Sequence, residues 1–503
     1  MSRPRSLVLI TIDCLRADHV GHFGYERPTT PFLDSLAQQS VVFRNATVAG
    51  APTYYSLPGL LASRYPLALG RDIIGLAPDE STIASVLREL GFATAAFTAG
   101  NPYISAQFGY DHGFDTFRDF LRGGNLESPE NTQQEHRFRS RANRSLSKMC
   151  HSVPALGTAY DELYFRYCQQ RAAQPNTSLD ALRRFPSAEI LVEHAIEWLK
   201  ENSSRPFFLW LHLMDPHAPY YPKAEALQCM GDGGITATDA QYLNSYWNRS
   251  DLSQSRLETK REAVIKLYDA GIRWADEQTR RLAGQLTDLN AWDNCVLAVT
   301  ADHGEEFLDH GGRFHSPMNL REALIHVPLL VRAPGVAHAE VEQAISLIDL
   351  APTLLDILGI PAPADFRGRS HGPQMEKPKI EPSNIGKPAY KIPVITEAVY
   401  GCSNPFRTDN RCGARILALK RENYKLVINF SSGAEDFFDL TSDPHERNPL
   451  PPHFAGSTRK ELLEYAKKHL AESHKARDAD RRSASILRDL TLEWAHPAHI
   501  AIN

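Results

Sequence analysis

The chain has 503 residues, 42% of them hydrophobic and 23% charged, which supplies a sizeable core and excludes disorder of the whole chain. Its formal charge of −5 gives no general attraction to nucleic acid, whose binders carry a basic face, and the seven cysteines lack any C-x-x-C spacing, which points to a reducing compartment. The apolar run Leu7 to Ile12 stops at Asp13, too short for an export signal or a membrane span, and the cytoplasm is the expected location.

In chain order, Leu7 to Ile12 is a continuous β-branched run that reads as a strand buried on both faces of a parallel sheet. Ile83, Val86, Leu87 and Leu90 have helical spacing within Thr82 to Leu90, and Gly91 stands where a C-terminal cap belongs. A strand follows from Phe92 to Thr98, then a helix across Ala188 to Lys200, a strand at Pro206 to Met214, a long helix near Lys260 to Leu286 and a strand at Cys295 to Thr300. Strand and helix in alternation predict an α/β sandwich with a largely parallel sheet. Polar Arg122 to Arg184 reads as an insertion, helical in part around Leu156 to Gln170, and Arg367 to Pro393, rich in Pro, Lys and Gly, as a connector. Short strands at Tyr424 to Phe430 and Asp436 to Asp439 and a helix at Lys460 to Ser473 complete a small α+β unit. The expected division is a catalytic domain over 1–366 with the insertion at 122–184, a linker over 367–393, and a C-terminal subdomain over 394–503.

Three predicted strands end in groups that bind metals or move protons: Asp13 after the first, Asp215-Pro-His217 after the second, and Asp302-His303-Gly304-Glu305 after the third. Ligands of open α/β sheets sit at the carboxyl ends of strands, so these distant residues are expected to converge. Singly, such an Asp is usually a turn former or helix cap and a lone His a hydrogen-bonded core or surface residue. Their recurrence at three strand ends favours a shared site, and Asp13, Asp302 and His303 suit calcium, manganese, magnesium or zinc.

The segment from Ile10 to His19, containing Asp13, Arg16 and Asp18, followed by Gly24 to Asp34, resembles the opening signature of the sulfatase-like branch of the alkaline phosphatase superfamily. Further motifs recur in the same order: Leu211 to Tyr220 with Asp215 and His217, Thr300 to Glu306, His310-Gly311, Val327 to Gly335, Ile348 to Thr353 and Asp439 to Glu446. The resemblance implies a three-layer sandwich with a mostly parallel central sheet and a small C-terminal α+β subdomain. It implies a metal site of Asp13, Thr53, Asp302 and His303, and catalytic roles for Thr53, His217, His315 and Arg16, with Asp215 and His310 available for a second metal or for substrate.

One motif departs from the family. Counted back from Leu60 to Pro66, the sulfatase element C/S-x-P-S-R reads Thr53-Tyr54-Tyr55-Ser56-Leu57. Threonine is not oxidised to formylglycine, whereas phosphodiesterases and phosphoglycerol transferases of the superfamily use threonine there, so the resemblance implies Thr53 as nucleophile. Cys14 replaces a second ligand Asp of formylglycine sulfatases and reads as a buried filler. The implied cofactor is one divalent ion, zinc, manganese or calcium, or two if Asp215 and His310 join in. The expected function is a metal-dependent hydrolase or transferase of phosphate or sulfate esters, acting on a small-molecule or lipid or sugar ester. A sulfuric ester hydrolase working without formylglycine and a non-catalytic metal-binding descendant are the alternatives; the substrate's organic portion and the oligomeric state are not set by the sequence.

Overall fold

The computed structural model describes residues 5–67, 75–121, 160, 162–163, 165–166, 178–231, 234–316, 319–372, 392–399, 414–451, 453–454 and 456–473. Most of the predicted insertion and of the predicted connector lies outside them. The first strand, β1 (Ser6–Ile12), is buried along its whole length, as its unbroken apolar run requires. Next in the main sheet come β2 (Val41–Thr47), β3 (Ala93–Thr98), β4 (Thr116–Arg118), β5 (Phe207–Leu213) and β6 (Cys295–Thr300). Beyond a short hairpin of β7 (Glu306–Phe307) and β8 (Arg313–Phe314), β9 (His326–Arg332) and β10 (Ala339–Ser346) complete it.

The eight strands lie in the order β10-β2-β9-β6-β1-β5-β3-β4. Only β9 runs antiparallel to its neighbours β2 and β6; the remaining pairs are parallel. Parallel neighbours need helical crossovers, which the Ala188–Asn202 and Gln254–Asp288 helices supply before β5 and β6. The second spans 35 residues, longer than predicted, because its polar opening turns carry little periodic signal; Val264, Leu267, Tyr268, Ile272, Ala275, Thr279, Leu282 and Leu286 form its buried stripe. The Ile83–Glu89 helix starts on a Thr82 capping box and is followed by Gly91 at φ +85°, the left-handed position anticipated for it.

A second sheet holds β11 (Val394–Val399), β12 (Arg415–Arg421), β13 (Tyr424–Asn429) and β14 (Ala434–Asp439), antiparallel in that order. Leu462 and Ala466 from the helical residues 456–473 pack with Leu417, Leu419, Leu426 and Phe437 in a separate core. Polar contacts join this unit to the main body: Glu322 accepts from Lys420 Nζ at 2.7 Å and Lys425 Nζ at 2.9 Å, and Glu446 accepts from Glu322 N at 2.6 Å. Strand β11 also hydrogen-bonds through Glu397 N to Ala49 O at 2.9 Å, just ahead of the Thr53–Ala62 helix. Among the described residues no helix is long and apolar enough to cross a membrane.

Candidate active site

Strands β6, β1 and β5 are parallel neighbours at the middle of the sheet, so their carboxyl ends open side by side. Asp13 follows β1 and extends its pairing through its N–H to Leu213 O at 2.8 Å; Cys14 then turns the chain at φ +62°. Asp13 is fully buried, with Oδ2 3.2 Å from His212 Nε2 and within 3.4 Å of Asn101 Nδ2. Burial opposes its charge, but the facing imidazoles of His217, His212 and His303 override this and hold its pKa well below the usual carboxylate range.

His212 lies inside β5, beside Thr98 on β3 and Thr11 on β1, with Thr300 of β6 beyond Thr11. The row is wholly buried. Thr11 Oγ1 donates to Leu211 O at 3.2 Å, accepts from Trp210 Nε1 at 3.0 Å and meets His212 Nδ1 at 2.8 Å. The Thr11 contact fixes the ring so that Nε2 faces Asp13.

Asp302 and His303 follow β6 and are equally buried. Asp302 Oδ1 accepts from His303 N at 3.0 Å, while Oδ2 has no hydrogen-bond partner among the described residues. His303 Nδ1 donates to Gly304 O at 2.8 Å, leaving Nε2 to face Thr53 Oγ1 at 3.1 Å and Asp13 Oδ1 and Asp302 Oδ2, each at 3.6 Å. Gly304 is required there: a Cβ would stand 2.0 Å from Ala323 O. Thr53 opens its helix, but the capping position belongs to Pro52 and no side-chain cap bond forms, so the Thr53 hydroxyl is committed to the cluster and not to a capping role. The four residues of the predicted metal set therefore do meet, with His212 as an unpredicted fifth. Two carboxylates, two imidazoles and a hydroxyl, one carboxylate oxygen orphaned, fit a divalent cation held by nitrogen and oxygen.

Thr53, His217 and His315 line one cleft of about 340 Å³. The His217 and His315 rings are 5.0 Å apart, yet their environments differ. His217 Nδ1 donates to Ala218 O at 2.5 Å, and burial lowers its pKa. Burial works against the charge of His315 too, but Glu305, 3.0 Å from Nδ1, lifts its pKa to about 8. Glu305 is itself fixed by Tyr220 Oη at 2.7 Å. One imidazole is thus disposed to accept a proton and its neighbour to carry one. Burial and then the charges of Asp13, Glu305 and Asp302 push the Cys14 pKa up, and Sγ donates to Asp13 Oδ1 at 3.0 Å.

Three predicted site residues are not brought to the cluster. Arg16 donates to Asp18 at 2.7 Å, Asp309 at 2.9 Å and Glu305 O at 3.0 Å, so its guanidinium is spent on the fold. Asp215 is saturated by Arg183 at 2.5 Å and by Ala188 N at 2.9 Å at the start of its helix. His310 bonds His445 O at 2.8 Å, outside the cleft. Asp215 and His310 therefore form no second metal site with each other. Sequence reading missed His212 and Asn101, and it placed Glu305 after the third strand without giving it a role. The signal for His212 was present, an imidazole within the apolar run Phe207 to Met214; for Asn101 no pattern marked the residue.

The sulfatase family model matches residues 5–360, and a model of the C-terminal part of N-sulphoglucosamine sulphohydrolase matches 312–476. The multifunctional alkaline phosphatase superfamily protein PehA of Trinickia caryophylli is 24% identical, over 93% of this chain and 95% of that protein. Arylsulfatase K of Bos taurus is 28% identical, but over 52% of this chain and 51% of that protein, so the match spans about half of each. Among solved structures, the phosphonate monoester hydrolase of Agrobacterium radiobacter superposes with a TM-score of 0.60 at 20% identity, covering 94% of this chain and 96% of that one, a likeness of fold. With a family model spanning residues 5–360, the chain belongs to the sulfatase family, within the alkaline phosphatase superfamily, and is an ester hydrolase of that family.

Proposed function

We propose that the protein is a metal-dependent hydrolase or transferase of phosphate or sulfate esters in which Thr53 is the nucleophile. The observation that carries this reading is the Thr53 hydroxyl, 3.1 Å from His303 Nε2 within a buried cluster of two carboxylates. Asp13, Asp302, His303 and Thr53, with His212 at its edge, would hold the ion. When bound, a divalent ion supplies positive charge that acidifies a neighbouring hydroxyl and offsets the charge of the ester oxygens.

The chain's own groups do the rest. Thr53 Oγ1 forms the bond to phosphorus or sulfur as the bond to the leaving oxygen breaks. His217 takes the Thr53 proton and His315 delivers its own to the leaving oxygen. Water, or an acceptor alcohol in a transferase, then attacks the Thr53 ester; its proton and the one on His217 are returned to His315 and Thr53, which restores the starting state. The amino end of the Thr53–Ala62 helix adds partial positive charge beside the transferred group. Phosphorus esters are preferred over sulfate esters because threonine, unlike formylglycine, is a plain alcohol nucleophile.

Turnover of 4-nitrophenyl phosphate, bis(4-nitrophenyl) phosphate and 4-nitrophenyl sulfate tests the reading, with Thr53→Ala as control. Loss of the preferred activity by about a thousandfold or more in the variant is expected for a removed nucleophile; unchanged turnover rejects the assignment.

A further inference from the structure

We propose that a second cavity, at the seam between the main body and β11, is an anion-binding site separate from the Thr53 cleft and takes a phosphate or sulfate group. The cavity measures about 300 Å³, and Arg367 and Arg369 line it. The Arg367-Gly368-Arg369 segment is fixed through its backbone: Arg367 N donates to Ser63 O at 2.7 Å, Gly368 N to Ser63 Oγ at 2.9 Å and Arg369 N to Asp349 Oδ1 at 2.8 Å. Glycine is needed between the arginines, because a Cβ on Gly368 would stand 2.0 Å from Ile348 O. The main chain is thus spent on the fold, and the two guanidiniums are presented from a rigid base. Ser63 closes the 10-residue helix that Thr53 opens, which sets the two sites about 15 Å apart along its axis.

The walls suit an oxyanion. Asp349, the single carboxylate on them among the described residues, is already occupied: Oδ1 accepts from Arg369 N, while Oδ2 accepts from Ser346 N at 3.3 Å and lies 3.1 Å from His371 Nε2. Arg367 makes no ion pair among the described residues. Two guanidiniums against one carboxylate leave positive charge in surplus, and each guanidinium can grip a tetrahedral oxyanion through two parallel N–H bonds. Ser346 is buried; its Oγ accepts from Ile348 N at 3.4 Å and keeps its own proton to donate. Tyr65, its ring 4.7 Å from that of His469, and exposed Ile392 add an apolar wall for an organic group that carries the anion. The cavity also opens where β10 ends, on the carboxyl edge of the sheet that serves ligands in open α/β folds.

Calorimetric titration of the full chain in chelator with inorganic phosphate, inorganic sulfate and phenyl phosphate tests the site. All three are expected to bind, and Arg367→Gln combined with Arg369→Gln should weaken each by at least about tenfold. Both side chains are exposed, so the double substitution spares the fold, and turnover of bis(4-nitrophenyl) phosphate by the metal-loaded protein should stay within about twofold of native. Tighter binding of phenyl phosphate than of inorganic phosphate assigns an ester as the ligand, and equal binding assigns the free oxyanion. Absence of binding, affinity unchanged in the double variant, or turnover falling in step with binding overturns the inference. The titration reads the same whether or not Thr53 proves to be the nucleophile.

Discussion

Asp302 sits wholly out of water with Oδ2 unpaired and a second carboxylate, Asp13, in the same cluster. An unsatisfied buried acceptor costs about 1–3 kcal/mol, and more when it is charged. Asp302→Asn removes the charge, keeps an oxygen for His303 N, and lets the amide donate into the cluster. In chelator the variant should therefore be more stable than the native protein by about 1–3 kcal/mol. Addition of manganese or zinc at a hundred times its dissociation constant should stabilise the native protein by about 2.7 kcal/mol and the variant hardly at all, so the order of stability narrows or reverses. Urea unfolding followed by circular dichroism, with and without chelator, reads both effects, and bound metal is counted by elemental analysis. A variant less stable than the native protein in chelator, yet still gaining stability from the ion, would refute the assignment of Asp302 as a ligand.

Thr11→Val strips His212 Nδ1 of its partner and Trp210 Nε1 of its acceptor; we expect a stability loss of about 1–3 kcal/mol and metal affinity weakened about 10–100-fold, measured by competition with a coloured chelator. Gly304→Ala drives a methyl into Ala323 O and should displace His303, cutting kcat/KM more than tenfold at a stability cost of about 1–3 kcal/mol. Glu322→Gln removes one partner of Lys420 and Lys425, and the chemical-denaturation midpoint should fall by the equivalent of about 3 kcal/mol. Burial raises the Glu322 pKa, but Lys420 and Lys425 override it and hold the group well below the usual carboxylate range. That contribution is present above the unfolded value of about 4.5 and drains away as pH falls below it; the variant should show a flatter loss of stability between pH 5 and 3, and an unaltered acid limb would contradict it.

The strands that carry the cluster were legible because β1, β5 and β6 are covered on both faces and so spell unbroken apolar runs, with Asp13 and Asp302 just past their ends. Thr53 was legible only through a family motif, since Thr53-Tyr54-Tyr55-Ser56 carries no helical stripe of its own; the whole Thr53–Ala62 helix is buried. What sequence could not supply was direction. Asp215 and His217 stand two residues apart, yet one turns back to Arg183 while the other lines the cleft. Arg16 likewise looked like an anion clamp, and Asp18 and Asp309 capture it. His212 was hidden by the opposite effect: within an otherwise apolar strand a polar residue gains meaning only when the threonines of β3, β1 and β6 are seen beside it.

Because the cluster issues from three laterally bonded strands, its spacing is governed by an inter-strand distance of about 4.7–4.9 Å that no loop replacement can alter. The mouth of the cleft, built from Pro102, Tyr103 and Phe185, lies outside that ladder. A lineage built on such a frame can exchange one ester for another by rewriting its rim while inheriting the reaction intact. An engineer seeking a new substrate would do well to leave the ladder untouched and randomise the rim.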